Sequence, residues 1–137
     1  MTVPATISFG EILRWSLWHM QRESPRAYGV MCRQAPAALT IVVDGEPAHV
    51  SFSPGRAEVR RAALPAPVYA ETTRTAILDR ADGRVSLTSA ILEERLFLRG
   101  DVQALLRCHD AFVAYLNGAV RSPSLPPLLR RYREGQL

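Results

Sequence analysis

Apolar side chains near the start of the chain recur every three or four residues, which is the spacing of one face of an α-helix. They are Phe9, Ile12, Leu13, Leu17 and Met20, and Trp15 and Trp18 widen the stripe. Ser8 and Glu11 fit a capping box at the start of this helix, because a serine at the cap is followed three residues later by a glutamate. Ser24-Pro25 predicts its end, since proline disfavours helix at the preceding residue, and the same proline can open a second helix.

The middle of the chain changes to a period of two, which indicates β-strands with one buried face. A first strand is predicted from Leu39 to Val43, and Asp44-Gly45 after it is typical of a hairpin. The apolar positions of the strands that follow are Ala48, Val50 and Phe52, then Ala57 and Val59, then Val68 and Ala70. We expect these segments to form a meander of antiparallel strands.

Helical spacing returns in the last half of the chain. Thr72 or Thr73 can cap a short helix that Asp82-Gly83 ends, and a second short helix is predicted from Val85 to Leu92. Leu96 to Arg99 has strand character, and Asp101 can cap a long helix after it. One stripe at a period of 3.6 runs along that helix, made of Val102, Leu105, Leu106, Phe112, Val113, Leu116 and Val120.

The 137 residues are enough for one domain with its own core, which we place over residues 1–121. Residues 122–137 form a tail rich in proline and arginine, in which Leu128–Tyr132 can add a short helix. No apolar run reaches the roughly 20 residues of a membrane span, and the first residues do not have the pattern of a signal peptide. Cys32 and Cys108 lack a CxxC partner, so we expect no disulfide and a reducing, cytoplasmic setting.

The net charge is +4, and all 17 basic residues are arginine. Arg60-Arg61 and Arg130–Arg133 are the clusters, and neither is interleaved with the aromatic residues of a stacking groove. We therefore expect solvated faces and no nucleic-acid partner.

Candidate catalytic chemistry is sparse. His109 lies on the apolar stripe of the long helix, where it could transfer protons or anchor a polar group; a histidine bonded to a carbonyl group is the simpler interpretation. Cys108 and Asp110 are expected to turn away from it, because adjacent helical residues point about 100° apart. The three histidines lack metal-ligand spacing, so we expect no catalytic residue, metal or cofactor.

The segment from Pro67 to Asp101 resembles the sterol carrier protein 2 family of lipid-binding domains. The resemblance rests on a strand, a capped helix ending in Gly83, a second short helix, the strand Leu96–Arg99 and then Gly100-Asp101. It implies an α+β fold, in which helices cover one face of a five-stranded, mostly antiparallel sheet and an apolar tunnel lies between the two layers. It also implies a bacterial-type carrier or presenter of a fatty acyl, sterol-like or isoprenoid ligand.

The tunnel that this resemblance implies would be lined by Val50, Phe52, Ile77, Ile91, Leu92, Leu96, Leu98, Leu105, His109, Phe112, Val113 and Leu116. Gly83 and Gly100 match structural glycines of the family, and Asp101 matches its helix cap. The chain departs from the family at three positions, with Arg80 at an apolar position, Phe97 at a polar one and Glu94 where glycine is usual.

Three alternatives remain open at this point. The apolar residues could fill a solid core, since close packing is the norm in proteins. The tunnel could serve a tailoring enzyme, with His109 as acid or base near Tyr115 or Asp110. The chain could also be an accessory protein of a lipid or quinone biosynthesis assembly, monomeric or homodimeric, that uses Trp15 and Trp18 or the Arg130–Arg133 cluster to contact a protein or a membrane surface.

Overall fold

A computed structural model describes residues 7–83 and 87–134 of the chain, as six helices and five strands. The predicted helix from Val85 therefore lies partly outside the described residues. In chain order the elements are α1 (Phe9–Glu23), α2 (Pro25–Gln34), β1 (Ala38–Val43), β2 (Glu46–Ser53), β3 (Arg56–Arg60), β4 (Val68–Thr72), α3 (Arg74–Ala81), α4 (Leu87–Leu92), β5 (Leu96–Arg99), α5 (Val102–Ala119) and α6 (Leu125–Glu134).

Local capping signals place most of these boundaries where the sequence predicts them. Ser8 Oγ accepts the backbone N–H of Glu11 at 3.2 Å, which confirms the predicted cap of α1. Thr73 and Asp101 cap α3 and α5 in the same way, at 3.1 and 2.9 Å. Asp44 and Gly45 both have positive φ, 50° and 83°, which is the backbone of the two-residue turn typical of twisted hairpins.

The five strands form one sheet in the order β3-β2-β1-β4-β5. Three of the four neighbouring pairs are antiparallel, and β1 with β4 is parallel. The α+β fold class with a mostly antiparallel sheet is therefore confirmed. The predicted meander is wrong at its last strand, because the chain crosses the sheet after β3 instead of turning back beside it.

The crossing segment is held against the sheet face opposite the helices. Thr40 Oγ1 donates to the carbonyl oxygen of Leu64 at 2.6 Å, and lies 3.0 Å from Nδ1 of His49 on the neighbouring strand. A hydroxyl has a single proton, so Nδ1 of His49 donates to Thr40. His49 is 7% exposed, although strand alternation assigned it to solvent, because this segment covers it.

The helices cover the other face of the sheet, here called the helix side. One packed core joins α1 and α2 to β2 and β3 and includes Leu17, Met20, Tyr28, Met31, Cys32, Val50 and Val59. The long helix α5 packs mainly against α2, and α6 returns along α1. The β4 and β5 end of the sheet therefore lies beyond the main helical core, beside α3, α4 and α5.

Candidate ligand-binding site

Helix α5 has two apolar faces on opposite sides. At about 100° per residue, Ala104, Ala111, Ala114 and Gly118 share an arc of about 80°, and all four are buried. A side chain at Gly118 would collide with Met20 and approach Ala27, so small residues allow the helices to come close. The buried side of α5 is therefore made of its smallest residues.

The large residues of α5 lie on the other side, which we call the open apolar face. They span an arc of about 120° and comprise Val102, Leu105, Leu106, Phe112, Val113, Leu116 and Val120. Leu106, Val113 and Val120 are 57%, 43% and 84% exposed, and the leucines and phenylalanine nearest the sheet are half-buried. Large apolar residues usually form the packed side of a helix. Here they are left partly exposed, so this face has apolar area available for contact with another molecule.

The sheet's helix side is only partly covered at the β4–β5 end. The register of β1, β4 and β5 places Ile41, Ala70 and Leu98 side by side, with Leu39 and Leu96 on the same face. The three leucines and Ile41 are half-buried, although Val68 and Ala70 of β4 are buried. Val50 and Val59, at the other end of this face, are packed in the core. Because α5 contacts β4 and α4 contacts β5, these side chains and the open apolar face belong to one region.

The short helices α3 and α4 border this region. Ile77 of α3 is half-buried, and Ile91 and Leu92 of α4 are 42% and 78% exposed. The predicted lining residues thus fall into three groups: those on α5, those on β5 and those on the short helices. Val50 is not with them, since it is 2% exposed and belongs to the packed core. Phe52 lies at the edge of that core, beside a groove described below.

His109 lies in the middle of the open apolar face, and 57% of its side chain is exposed. Its Nδ1 is 3.7 Å from Oδ1 of Asp110, so the expectation that Asp110 turns away is wrong. Tyr115 points instead to α1, where its hydroxyl donates to Ser16 at 2.9 Å. The Tyr115 and His109 side chains therefore lie on different sides of α5 and do not form a catalytic pair.

Arg80 brings a polar group to the same border. It follows Ala76 by four residues and Ile77 by three, so it shares their side of α3. Its Nε is buried and has no hydrogen-bond partner within the described residues. Asp79 beside it is paired with Arg95, at the start of β5.

Burial also controls the reactivity of the other candidate groups. Desolvation raises the pKa of the Cys108 thiol, which makes it a weak nucleophile at neutral pH. Desolvation likewise raises the pKa of Tyr115. Within residues 7–83 and 87–134, no three histidine, cysteine or carboxylate side chains come close enough to hold a metal ion. Nor is any helix there long and apolar enough to cross a membrane.

Two grooves lie elsewhere on the surface. One, of about 500 Å³, runs between α1 and β3, and the other, of about 430 Å³, lies between the end of α2 and the β2–β3 turn. Phe52 borders the second groove and is the one predicted lining residue found in either. The apolar region beside α5 is thus separate from both.

Comparison with known proteins decides the fold. No protein-family model and no curated protein sequence matches the chain. Several solved structures that it resembles over most of their length are sterol carrier protein 2 domains. This chain has the sterol carrier protein 2 fold. The resemblance first inferred from the Pro67–Asp101 segment is therefore confirmed at the level of the fold.

Three solved structures illustrate the range of proteins that the chain resembles. The ubiquinone synthesis protein UbiJ-SCP2 is 18% identical, with a TM-score of 0.53 over 80% of this chain and 97% of that one. Palmitated SCP2L2 from Aedes aegypti is 15% identical, with a TM-score of 0.53 over 79% and 95%. The sec-alkyl sulfatase PisA1 is 16% identical, with a TM-score of 0.58 over 79% of this chain, which spans only 16% of that enzyme.

The sterol carrier protein 2 fold explains two of the sequence matches, and one departure, in physical terms. A side chain at Gly100 would stand 2.7 Å from the carbonyl oxygen of Pro67, so glycine is needed where the chain enters α5. Asp101 caps that helix as the match implies. Glu94 occupies the usual glycine position with φ of 59°, a left-handed conformation that is unfavourable for a residue with a side chain.

Sequence reasoning missed the groove between α1 and β3, and it missed the buried Nε of Arg80, which has no partner in the part of the chain that the structure describes. The two walls of the groove, α1 and residues 55–60, are more than 30 positions apart in the sequence, so no pattern of neighbouring residues predicts it. Arg80 did carry a signal, since an arginine at an apolar position of a helix predicts an unusual environment.

Proposed function

We propose that this protein binds an apolar lipid ligand, with a fatty acyl, sterol-like or isoprenoid chain, between α5 and the β4–β5 end of the sheet. The ligand would lie along the open apolar face and against the half-buried leucines of β5. Its role is to carry or present the lipid without altering it chemically.

The observation that carries the proposal is the inverted packing of α5. Its alanines and glycine face α2, and its leucines, valines and phenylalanine remain partly exposed. An apolar chain gains about 0.8 kcal/mol for each methylene that it buries, so a long chain on this face could bind with few polar contacts. A packed solid core, the simplest alternative, would have used the large residues for the contact with α2.

The fold similarity supports the same proposal. Other proteins with this architecture include sterol carrier domains and a palmitated SCP2L2, so the fold accommodates lipids elsewhere. His109, in the middle of the open apolar face, is positioned to hydrogen-bond a polar headgroup oxygen. It would act as an anchor for the ligand.

A direct test is uptake of a fluorescent fatty acid by delipidated protein, together with solvent extraction and mass spectrometry of the protein as purified. We expect saturable uptake with one site per chain, and a co-purified lipid that identifies the class. Leu92→Arg should abolish uptake while leaving the fold intact, because Leu92 is 78% exposed.

Phe97→Arg is the matched control. Phe97 is also an exposed apolar residue, at 53%, but the register of β5 turns it to the opposite face of the sheet, beside Tyr69. Uptake should therefore survive in Phe97→Arg. Failure of the delipidated wild-type protein to take up fatty acid or sterol, or equal uptake by both variants, would contradict the proposed site.

A second candidate role is presentation of a lipid inside a quinone biosynthesis assembly. It is favoured by the similarity to UbiJ-SCP2, a ubiquinone synthesis protein whose length this chain nearly covers. The extraction experiment separates the two roles, since a prenylated quinone precursor would support the assembly and a mixture of fatty acids would support a general carrier.

A further inference from the structure

The groove between α1 and β3 lies outside the proposed lipid site and has its own composition. It is open to solvent and has a volume of about 500 Å³, within the range of sites that accept a small ligand or an inserted side chain. One wall is α1, the other is the strand and the turn before it, and Tyr28 closes the base. Its lining includes Arg14, Leu17, Trp18 and Gln21 on α1, and residues 55–60 on the opposite wall.

The charge of the groove is positive. Arg14, Arg56 and Arg60 line it, and Glu58 is the one carboxylate among its lining residues. Glu58 is already paired with Arg56 at 2.7 Å. Arg60 is exposed and makes no ion pair within the described residues. Its register opposite His49 starts its side chain on the sheet face away from α1, so it stands at the outer rim of the groove. The groove therefore has unneutralised guanidinium groups that attract carboxylates.

Two exposed tryptophans stand at the α1 edge of the groove. Trp15 and Trp18 are 52% and 47% exposed, and their rings meet edge to face at 6.1 Å. Arg22 covers Trp18 at 4.7 Å from the ring centre. Exposed tryptophan and arginine beside a concave surface are the residues most enriched at the energetic centres of protein interfaces.

Backbone pairing is partly blocked as a way for a partner to bind here. The outward N–H of Ala57 donates to the Tyr28 hydroxyl at 2.8 Å, and the outward carbonyl of Val59 accepts from Arg14 at 2.9 Å. These two contacts occupy two of the four outward backbone groups of Ala57 and Val59 that an added strand would use. Recognition through the partner's side chains is therefore favoured.

The geometry also favours a peptide over a nucleic acid or a bilayer. Each indole already has a neighbour stacked on it, since His19 lies over Trp15 at an interplanar angle of 30° and Arg22 lies over Trp18. These rings are therefore poor platforms for bases. A flat membrane could touch the protruding rings but could not fill a groove, whereas an inserted side chain can.

We propose that this groove, with Trp18 and Arg60 at its rim and Arg14 in its α1 wall, binds an acidic segment of a partner protein that also carries an aromatic or leucine anchor. The carboxylates would pair with the arginines and the anchor would fill the space above Leu17. This surface would let a lipid-loaded chain dock on a partner without occupying the proposed lipid site.

The test is selection of random 12-residue peptides, displayed on phage, against the full chain. Selected sequences are then synthesised with a fluorescent label and titrated by anisotropy. We expect an excess of aspartate and glutamate together with an aromatic residue or leucine. Binding should weaken when the salt concentration rises. At constant salt, the dissociation constant should rise about tenfold in Arg60→Glu and about thirtyfold in Trp18→Ala.

Arg130→Glu is the matched control, because Arg130 is also exposed and the charge change is the same, but it lies on α6. Its binding should equal that of the wild type. Selection of peptides without acidic enrichment, an empty selection, or equal binding by Arg60→Glu and Arg130→Glu would overturn the proposal. So would tighter, Arg60-dependent binding to vesicles of phosphatidylglycerol and phosphatidylcholine, or to a 15-nucleotide oligothymidine.

Discussion

The side of α5 that is buried can be tested with two substitutions of opposite character. Leu106→Ala removes a large residue from the open apolar face, and Ala114→Leu adds volume to the face against α2. The structure predicts that the first change is mild and the second is severe. A helix oriented by its largest residues would give the reverse order.

The expected magnitudes follow from burial. Complete burial of a leucine side chain stabilises a protein by about 1.5–3 kcal/mol, and Leu106 is 57% exposed. Its replacement should therefore cost about 1 kcal/mol or less, against about 3–5 kcal/mol for a leucine in a packed core. Ala114 is 5% exposed, and three extra carbons there should cost about 1–3 kcal/mol or more, because the tight contact with α2 must open.

The assay is urea unfolding of both variants and the wild type, monitored by circular dichroism at constant temperature. The free energy of unfolding should fall more for Ala114→Leu than for Leu106→Ala. If Leu106→Ala instead loses more than about 2.5 kcal/mol, in the range of core truncations, that side chain is buried in solution and the assigned orientation of α5 is wrong. The measurement should use delipidated protein, because a bound lipid would add its own stabilisation.

Three further predictions concern single residues. Glu94→Gly should raise the free energy of unfolding by about 0.5–1 kcal/mol, because it relieves the positive φ; Glu94→Ala should not, and equal gains would refute the strain. Arg80→Met should stabilise by about 1 kcal/mol in urea unfolding, because it removes a buried Nε that has no hydrogen-bond partner among residues 7–83 and 87–134; a loss would mean that the guanidinium has a partner in solution. Burial raises the pKa of Tyr132 from 10 to about 12, so its phenol stays protonated when the unfolded chain ionises. The contribution of Tyr132 to the free energy of unfolding should be fully present below pH 10 and should fall by up to about 2–3 kcal/mol between pH 10 and 12. An equally steep fall in Tyr132→Phe would exclude Tyr132 as the cause.

Features encoded by neighbouring residues could be predicted from the sequence. Caps such as Ser8 and Asp101 work within one helical turn, and the hairpin at Asp44-Gly45 needs only its two residues. The strand period identified β1, β2 and β3 for the same reason. The Pro67–Asp101 pattern then allowed the fold to be inferred, because each of its signals is local and their order is specific.

Features that depend on distant segments could not be predicted in this way. The parallel pairing of β4 with β1 requires the chain to cross the sheet, and Thr40 and His49 become buried only because it does. The orientation of α5 depends on how closely α2 can approach, so Gly118 matters more than the stripe of large residues. The sequence did indicate a surplus of apolar side chains on α5 and β5, and the structure leaves many of them partly exposed; the lipid site and its lining residues stay predictions.

The protected outer edge of β3 has a consequence for the behaviour of this protein at high concentration. Because Tyr28 and Arg14 already occupy the outward N–H of Ala57 and the outward carbonyl of Val59, a strand added there would lose two backbone hydrogen bonds, which disfavours the sheet-to-sheet growth that leads to fibrils. The opposite border is β5, which is only four residues long. Aggregation during storage should therefore arise from the exposed apolar surfaces of the helices, and mild detergent should reverse it. The aggregates should not bind thioflavin.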